Sequence, residues 1–230
     1  MRVMRVVRVI RVICVICGFL LIVSLAAFAS SRCAWAAARK PQEQPTLDQL
    51  EDAYAEVSRS LADLLWAKVD DYWHPGRYGD VIAICYRMVD LDPSFVDAYL
   101  SAAWLIWSEK TPQAYKEAAA LYERGMKANP DSWEIPYECG AFFYLWHMRW
   151  AKKMTPEHAA KTAVPYLRRA AQLVDKGNAS KADRIKVWRA FGHALTTAGR
   201  RDAAVRVFKR VLEINPTDPI AEKELRKLQQ

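Results

Sequence analysis

Metal sites and nucleophilic active sites are built mainly from histidine, cysteine and serine side chains. The spacing of these residues therefore shows whether the sequence could form such a site. The four histidines, His74, His147, His158 and His193, are scattered through the 230 residues. None has a second histidine three or four residues away, the spacing that zinc sites on helices use. The chain also has neither a phosphate-binding glycine loop nor a G-x-S-x-G turn. The sequence therefore predicts no catalysis, no metal and no cofactor.

The five cysteines fall into two groups. Cys14, Cys17 and Cys33 lie near the N-terminus, and only Cys85 and Cys139 lie in the rest of the chain. These two are separated by a full structural repeat in the register described below. Because packed helices lie about 8–10 Å apart, two such cysteines are out of reach of a disulfide. We expect both to be core residues.

The net charge of +8 is concentrated at the N-terminus. Five of the 34 basic residues occur within the first 32 positions, and the remaining 29 face 26 acidic residues. The body of the chain is therefore almost balanced, and the sequence pI of 9.3 is weak support for a nucleic-acid partner. A basic C-terminal half could meet an anionic partner, but a solvated helix surface is the favoured explanation.

The first 36 residues have the pattern of an export signal. Arginines at positions 2, 5, 8 and 11 precede an uncharged stretch at 12–31, and A-x-A sites follow at 27–29 and 34–36. Cleavage at the second site would release a chain that begins at Ala37. We therefore expect a signal segment over 1–36 and a linker over 37–45.

An uncleaved membrane anchor is the alternative, because about 20 apolar residues are enough to span a bilayer. In that case the arginine-rich end stays in the cytoplasm, the body is translocated, and the segment contacts the inner membrane. Both alternatives predict an exported protein, on the periplasmic or extracellular side.

From residue 46 onward the signals are helical. Thr46 can cap a helix whose apolar residues recur at steps of three and four, namely Leu47, Leu50, Tyr54, Val57, Leu61 and Leu64. Asx-Pro pairs then recur at 92–93, 129–130 and 215–216, where one helix ends and another can begin. The first two pairs are 37 residues apart, and a period in this range is typical of helical solenoids.

The last unit tests this interpretation. With Pro216 as the final residue of a 34-residue repeat, Trp188, Gly192, Gly199 and Phe208 fall at the characteristic positions, as does Ala204. Ser180 and Asp183 form a capping box before it. This pattern closely resembles the tetratricopeptide repeat family. The resemblance implies an all-α fold, a right-handed superhelical solenoid of antiparallel helix pairs, with three to four repeats and a terminal capping helix.

The other repeats match less completely. We expect a repeat domain over 46–230, with repeats at about 62–93, 96–130, 133–176 and 185–216 and a polar capping helix at 219–230. About eleven extra residues at 149–159 separate the two helices of the third repeat. Pro165 fits the second of these helices if that helix begins near Thr162.

Stacked helix pairs form a concave surface lined by the first helix of each repeat. Applied to this sequence, the family's groove positions give an aromatic stripe with scattered acids in the first three repeats and cations in the fourth. Such a groove suits a ligand with apolar anchors and one acidic end. The ten residues expected to bind the partner are Trp66, Asp70, Trp73, Leu100, Trp104, Trp107, Tyr137, Tyr144, Arg189 and His193. The alternative is that these aromatic residues only pack between irregular repeats.

These features favour a non-catalytic exported scaffold that binds a protein or peptide segment and supports assembly of an envelope or secretion complex. The positions at which chaperone adaptors of this family hold terminal carboxylates are mostly apolar here, so that role is not expected. A module for a glycan or a lipid in the same groove is the main alternative. A third hypothesis is an intracellular nucleic-acid binder, against which export argues. The sequence leaves the oligomeric state open.

Overall fold

The computed structural model describes residues 44–149 and 155–230, and the side chains of 145–149 are not described. All regular secondary structure in these ranges is helical. The helices are α1 (Leu47–Trp73), α2 (Tyr78–Leu91), α3 (Val96–Ser108), α4 (Pro112–Ala128), α5 (Glu134–Arg149), α6 (Pro156–Val174), α7 (Lys181–Thr197), α8 (Arg201–Ile214) and α9 (Pro219–Gln229). The predicted all-α class is confirmed for this part of the chain.

Packing divides the chain between Glu51 and Asp52. Of the first unit, the structure describes only 44–51, which contains the start of α1. The predicted signal or anchor at 1–36 lies outside the described residues, as does the linker predicted at 37–45 except for its last two positions. Within the described part of the chain, no helix combines the length and the apolar character that crossing a membrane requires.

Consecutive helices of the second unit pack against each other as helical hairpins. Helix α3 packs on α4, α5 on α6 and α7 on α8, and α9 packs on α8. The first helices of successive hairpins also contact each other, α3 with α5 and α5 with α7. The predicted solenoid of helix pairs is therefore confirmed, and its first helices form one continuous wall.

Local signals set the helix starts. Thr111 and Thr155 each accept a hydrogen bond from the backbone N–H three residues on, and each precedes a proline in the first turn. Ser180 does the same for Asp183 N–H and also donates to the Asp183 carboxylate. Asp218 caps α9 by accepting from Ala221 N–H. These residues satisfy donors that a helix cannot satisfy itself.

The last hairpin needs two glycines for different reasons. A Cβ at Gly192 would lie 2.7 Å from Cζ of Phe208, so only glycine admits this ring between α7 and α8. Gly199 ends the turn of this hairpin with φ of +73°, a conformation that glycine adopts without strain. These contacts explain why Gly192, Gly199 and Phe208 occupy characteristic positions of the repeat.

The Asx-Pro turns also connect neighbouring hairpins. Asn129 Nδ2 donates to Pro93 O at 2.9 Å, which joins the turn after α4 to the turn after α2. Arg169 reaches from α6 to Pro130 O at 3.2 Å. These contacts fix the spacing between successive repeats.

Helix α1 differs from the expectation. The first repeat was expected to begin at about residue 62, but α1 is continuous from Leu47 to Trp73 because no proline or glycine interrupts it. Its buried residues are Ser58, Ala62 and Val69. The apolar residues of the three- and four-residue pattern lie on its exposed side: Leu47, Leu50, Tyr54, Val57, Leu61 and Leu64.

The third hairpin requires a correction. Its second helix was expected to begin near Thr162, with Pro165 in the first turn. Helix α6 instead begins at Pro156, capped by Thr155, and Pro165 lies in its interior. The Thr155-Pro156 start repeats the Thr111-Pro112 start of α4 and was overlooked. Residues 150–154 of the expected insertion lie outside the described residues.

Candidate functional site

Three of the expected binding residues meet on the wall of first helices. Trp73 of α1, Leu100, Ser101 and Trp104 of α3, and Glu138 of α5 line a pocket of about 240 Å³. We call these five residues the tryptophan pocket. Three successive hairpins contribute to it, so its shape depends on the stacking of the repeats.

Two indole rings form its aromatic wall. The rings of Trp73 and Trp104 are stacked, with centroids 6.0 Å apart and planes 21° from parallel. Tyr78 meets Trp73 edge-on at 5.8 Å and supports it from the start of α2. Trp104 nevertheless remains 48% exposed, which is high for so large an apolar side chain. An aromatic surface that is packed on one side and exposed on the other is typical of binding sites.

Glu138 gives the pocket its charge. Its side chain is 37% exposed, and its nearest cation is Lys186 of α7, whose Nζ lies 4.0 Å from Oε1. Lys186 Nζ also lies 4.4 Å from the centroid of the Tyr137 ring. Burial raises the pKa of Glu138, and Lys186 only partly offsets this. The carboxylate therefore gains from any further cation that enters the pocket.

A second pocket, of about 230 Å³, lies one hairpin further along. We call it the tyrosine pocket, and it is lined by Tyr137, Ala141, Tyr144, Leu167, Ala190 and His193. The hydroxyl groups of Tyr144 and Thr197 are hydrogen-bonded at 2.8 Å, which ties α5 to α7. The pocket is therefore apolar with hydroxyl groups at its edge.

His193 lies in the tyrosine pocket as a half-buried ring. It meets Phe208 edge-on, with centroids 5.4 Å apart. Burial lowers the pKa of His193 below its ordinary value of 6.5, so the imidazole is neutral at pH 7. The residue contributes a polar ring but no positive charge to the groove.

Six of the ten residues expected from the sequence thus line the two pockets: Trp73, Leu100, Trp104, Tyr137, Tyr144 and His193.

Trp66 and Trp107 lie elsewhere. Trp66 packs on Phe95 with ring centroids 5.6 Å apart, and Trp107 packs on Phe142 at 6.0 Å. Both are half-buried contacts between neighbouring hairpins, as the packing alternative predicts. Asp70 is exposed and lies one turn before Trp73 on α1, outside both pocket linings.

Arg189 lies outside both linings as well, and it has a partner within the chain. Its guanidinium pairs with the fully buried Asp218 through Nε at 3.1 Å and through Nη2. This cation of the fourth repeat is therefore neutralised by the chain itself. This changes the expected ligand, since the groove no longer favours an acidic end at this position.

Sequence reasoning missed Glu138 and chose its neighbour Tyr137. Glu138 follows Glu134 by four residues and precedes Ala141 by three, so these residues share a helix face. A groove face on α5 wide enough to hold both Tyr137 and Glu138 would have included it.

Residues 44–149 and 155–230 contain no cluster of three histidine, cysteine or acidic side chains that could hold a metal ion. Cys85 and Cys139 are buried free thiols, and burial raises the pKa of both. Their predicted place in the core is confirmed, and neither is an activated nucleophile.

The architecture resembles solved structures at low sequence identity. PilF from Pseudomonas aeruginosa is 18% identical over 76% of this chain and 68% of its own, with a TM-score of 0.52. MamA from Desulfovibrio magneticus RS-1, residue 41 to the end, is 11% identical over 73% and 83%, with a TM-score of 0.50. YrrB, described as a TPR protein with an unusual peptide-binding site, is 22% identical over 74% of each chain, with a TM-score of 0.48.

No family model matches the sequence, and a search of curated proteins gave no match. Identities this low establish the fold and nothing finer. The paired helices, the glycine-mediated contact of α7 with α8 and the structural neighbours agree with the repeat pattern of the sequence. The chain therefore has the tetratricopeptide repeat fold.

Proposed function

We propose that this chain is a non-catalytic scaffold that binds a segment of another protein along the wall of first helices. The observation that carries the proposal is the tryptophan pocket, where the half-exposed ring of Trp104 is stacked on Trp73. A preorganised aromatic side chain loses little conformational entropy on binding, so it is an efficient anchor.

The second support is the arrangement of the two pockets. Both take residues from α5: Glu138 lines the tryptophan pocket, and Tyr137 and Ala141 line the tyrosine pocket. Adjacent side chains of α5 thus border both pockets. An extended segment of a partner can place one side chain in each pocket, as the anchor residues of bound peptides commonly do.

The cellular setting is proposed from the N-terminal sequence. The arginine-rich start, the uncharged stretch and the A-x-A sites support export, with the repeat domain in the periplasm or outside the cell. An exported scaffold without catalysis would serve assembly of an envelope or secretion complex. N-terminal sequencing of the chain from fractionated cells tests this. A first residue of Ala37 supports a cleaved signal, an intact N-terminus in the membrane fraction supports an anchor, and a cytoplasmic chain contradicts both.

Site-specific photo-crosslinking tests the groove. The crosslinker is placed at Ser101, which lines the tryptophan pocket without supplying its rings, and a control crosslinker replaces the exposed Arg206 of α8. We expect one dominant protein adduct from position 101, none from position 206, and loss of the adduct when Trp104→Ala is added.

Two outcomes contradict the proposal. Adducts that are equal at the two positions, or that persist with Trp104→Ala, would show that the pocket does not select a partner. A glycan or a lipid is the alternative occupant, because a stacked indole pair also suits a sugar ring. Adducts of such molecules at position 101, with no protein adduct, would establish that alternative instead.

A further inference from the structure

We propose that the tryptophan pocket binds an arginine side chain of the partner segment. The inference rests on the proposed function and specifies the chemistry of one anchor. It differs from the expectation of an acidic ligand, which rested on the cations of the fourth repeat, Arg189 among them.

Charge is the first argument. Glu138 is the one ionisable side chain among the five that line the pocket, and it is an acid. Its closest cation, Lys186, stands 4.0 Å away, beyond the distance of a good hydrogen bond. The described residues thus leave this half-buried carboxylate without a directly hydrogen-bonded cation.

Two exposed acidic residues add to the negative charge of Glu138. Asp70 precedes Trp73 by three residues on α1, and Asp97 precedes Leu100 by three on α3, so each lies on the helix face that borders the pocket. Both are exposed, and neither forms an ion pair among the described residues. Such a field attracts a cationic segment and repels an acidic one.

Shape is the second argument. A volume of about 240 Å³ is below the roughly 300–1,000 Å³ typical of sites for whole small molecules. It suits a single side chain from a larger partner. The exposed face of Trp104 and the carboxylate of Glu138 then offer two different contacts to one group.

Arginine fits both contacts at once. Its planar guanidinium stacks on an indole face and presents paired N–H donors at its edge to a carboxylate. A lysine ammonium is a compact and strongly hydrated charge that cannot form the paired hydrogen bonds. Arg is also among the residues that contribute most at protein interfaces.

The chain contains two related arrangements of its own. Lys186 lies over the ring of Tyr137 and beside Glu138, which combines a cation, an aromatic face and this same carboxylate. Arg189 binds the Asp218 carboxylate through two of its nitrogens. Asp218 is fully occupied by a side chain of this protein, whereas Glu138 borders an open pocket.

The test uses peptide selection on the whole chain as isolated from cells. A library of displayed random twelve-residue peptides is panned on the wild type, and the tightest peptide is synthesised with citrulline in place of each arginine. Citrulline keeps the size and planarity of arginine and removes its charge. We expect arginine at a fixed position, and citrulline there to weaken binding on the order of tenfold.

The variant Glu138→Gln links that loss to the pocket. On this variant the arginine and citrulline peptides should bind almost equally, since the coupling between the two charges is gone. The matched control is Glu222→Gln, which removes an exposed carboxylate of α9 and changes the net charge by the same amount. On this control the tenfold difference should persist. The thermal melting of each variant checks that it is folded.

Selected peptides that carry no fixed arginine, that accept lysine or citrulline equally well, or that keep the arginine preference on Glu138→Gln would overturn the inference. In those cases the peptides still bind, and the proposed function stands. Failure to select any peptide that discriminates the wild type from Trp104→Ala would overturn the proposed function as well.

Discussion

The two ends of the helical array expose different kinds of side chain to solvent. At the C-terminal end, α9 buries Ala221 and Leu225 against the preceding hairpin and turns charged residues outward. At the N-terminal end, α1 leaves Tyr54, Val57, Leu61 and Leu64 exposed. A solenoid needs a polar outer face at each end for solubility, and in the described residues only the C-terminal end has one.

The C-terminal end is closed by an ion pair as well as by packing. Asp218 accepts hydrogen bonds from Arg189 of α7 and caps α9 through Ala221 N–H, so one carboxylate joins two helices. Among the described residues, none along the exposed stripe of α1 joins two helices in this way. The comparison shows that one buried ion pair ties α7 to α9 at the C-terminal end, whereas the tryptophan pocket lies nearer the helix with the exposed apolar stripe.

Asp218→Ala should have the largest effect on stability. The change leaves Arg189 without its counter-ion and α9 without its cap, and breaking a buried ion pair costs about 3–5 kcal/mol. We expect a loss near the lower value, because Arg189 is partly exposed. Denaturant unfolding measures it, with Asp63→Ala on the exposed side of α1 as the control. A loss below about 1 kcal/mol would show that the C-terminal end is not locked by this pair.

Two identical substitutions compare the ends directly. Leu225→Ala removes a side chain that is only 9% exposed and should cost about 2 kcal/mol. Leu64→Ala removes one that is 66% exposed and should change the free energy of unfolding by less than about 0.5 kcal/mol. Similar losses for the two variants would mean that the stripe of α1 is covered in the intact chain.

Low pH should destabilise α9 at the C-terminal end more than the rest of the fold. Burial opposes ionisation of Asp218, but hydrogen bonds from Arg189 and from Ala221 N–H outweigh it and lower the pKa of this carboxyl below its usual value. A carboxyl with a lowered pKa stabilises the fold above the unfolded-state pKa of about 3.9, and this contribution is lost as the pH falls through the folded-state value.

Hydrogen exchange of α9 measures this acid effect. Protection of its amides in the wild type should fall as the pH drops below about 4, more steeply than in Asp218→Asn, which has no carboxyl to titrate. Amides in α4 serve as the internal reference. An equal fall in both proteins would show that Asp218 does not carry the acid sensitivity of this end.

Local signals explain what could be predicted from the sequence. The last hairpin was identified correctly because Ser180, Gly192 and Gly199 act through contacts within one repeat. The start of α6 was misplaced because an interior proline was judged from its usual cost, although the Thr155-Pro156 pair was a stronger signal.

The candidate site was only partly predictable because it depends on distant contacts. The partner of Arg189 is 29 residues further along the chain, and no local pattern shows that the two side chains meet. The tryptophan pocket includes Glu138 because α5 presents both this residue and Tyr137 to the groove. The export signal, the linker and the partner remain predictions.

The smallest expected effect on stability belongs to the polar variant of the stripe, Val57→Gln combined with Leu64→Gln. Both side chains are exposed, so their replacement should cost less than about 0.5 kcal/mol each. The double variant should, however, bind less of a hydrophobic dye, because a contiguous apolar stripe is lost. Glu222→Gln on α9 is the control and should leave dye binding unchanged. Unaltered dye binding with a clear loss of stability would mean that these residues are buried in solution, and the contrast between the two ends would then disappear.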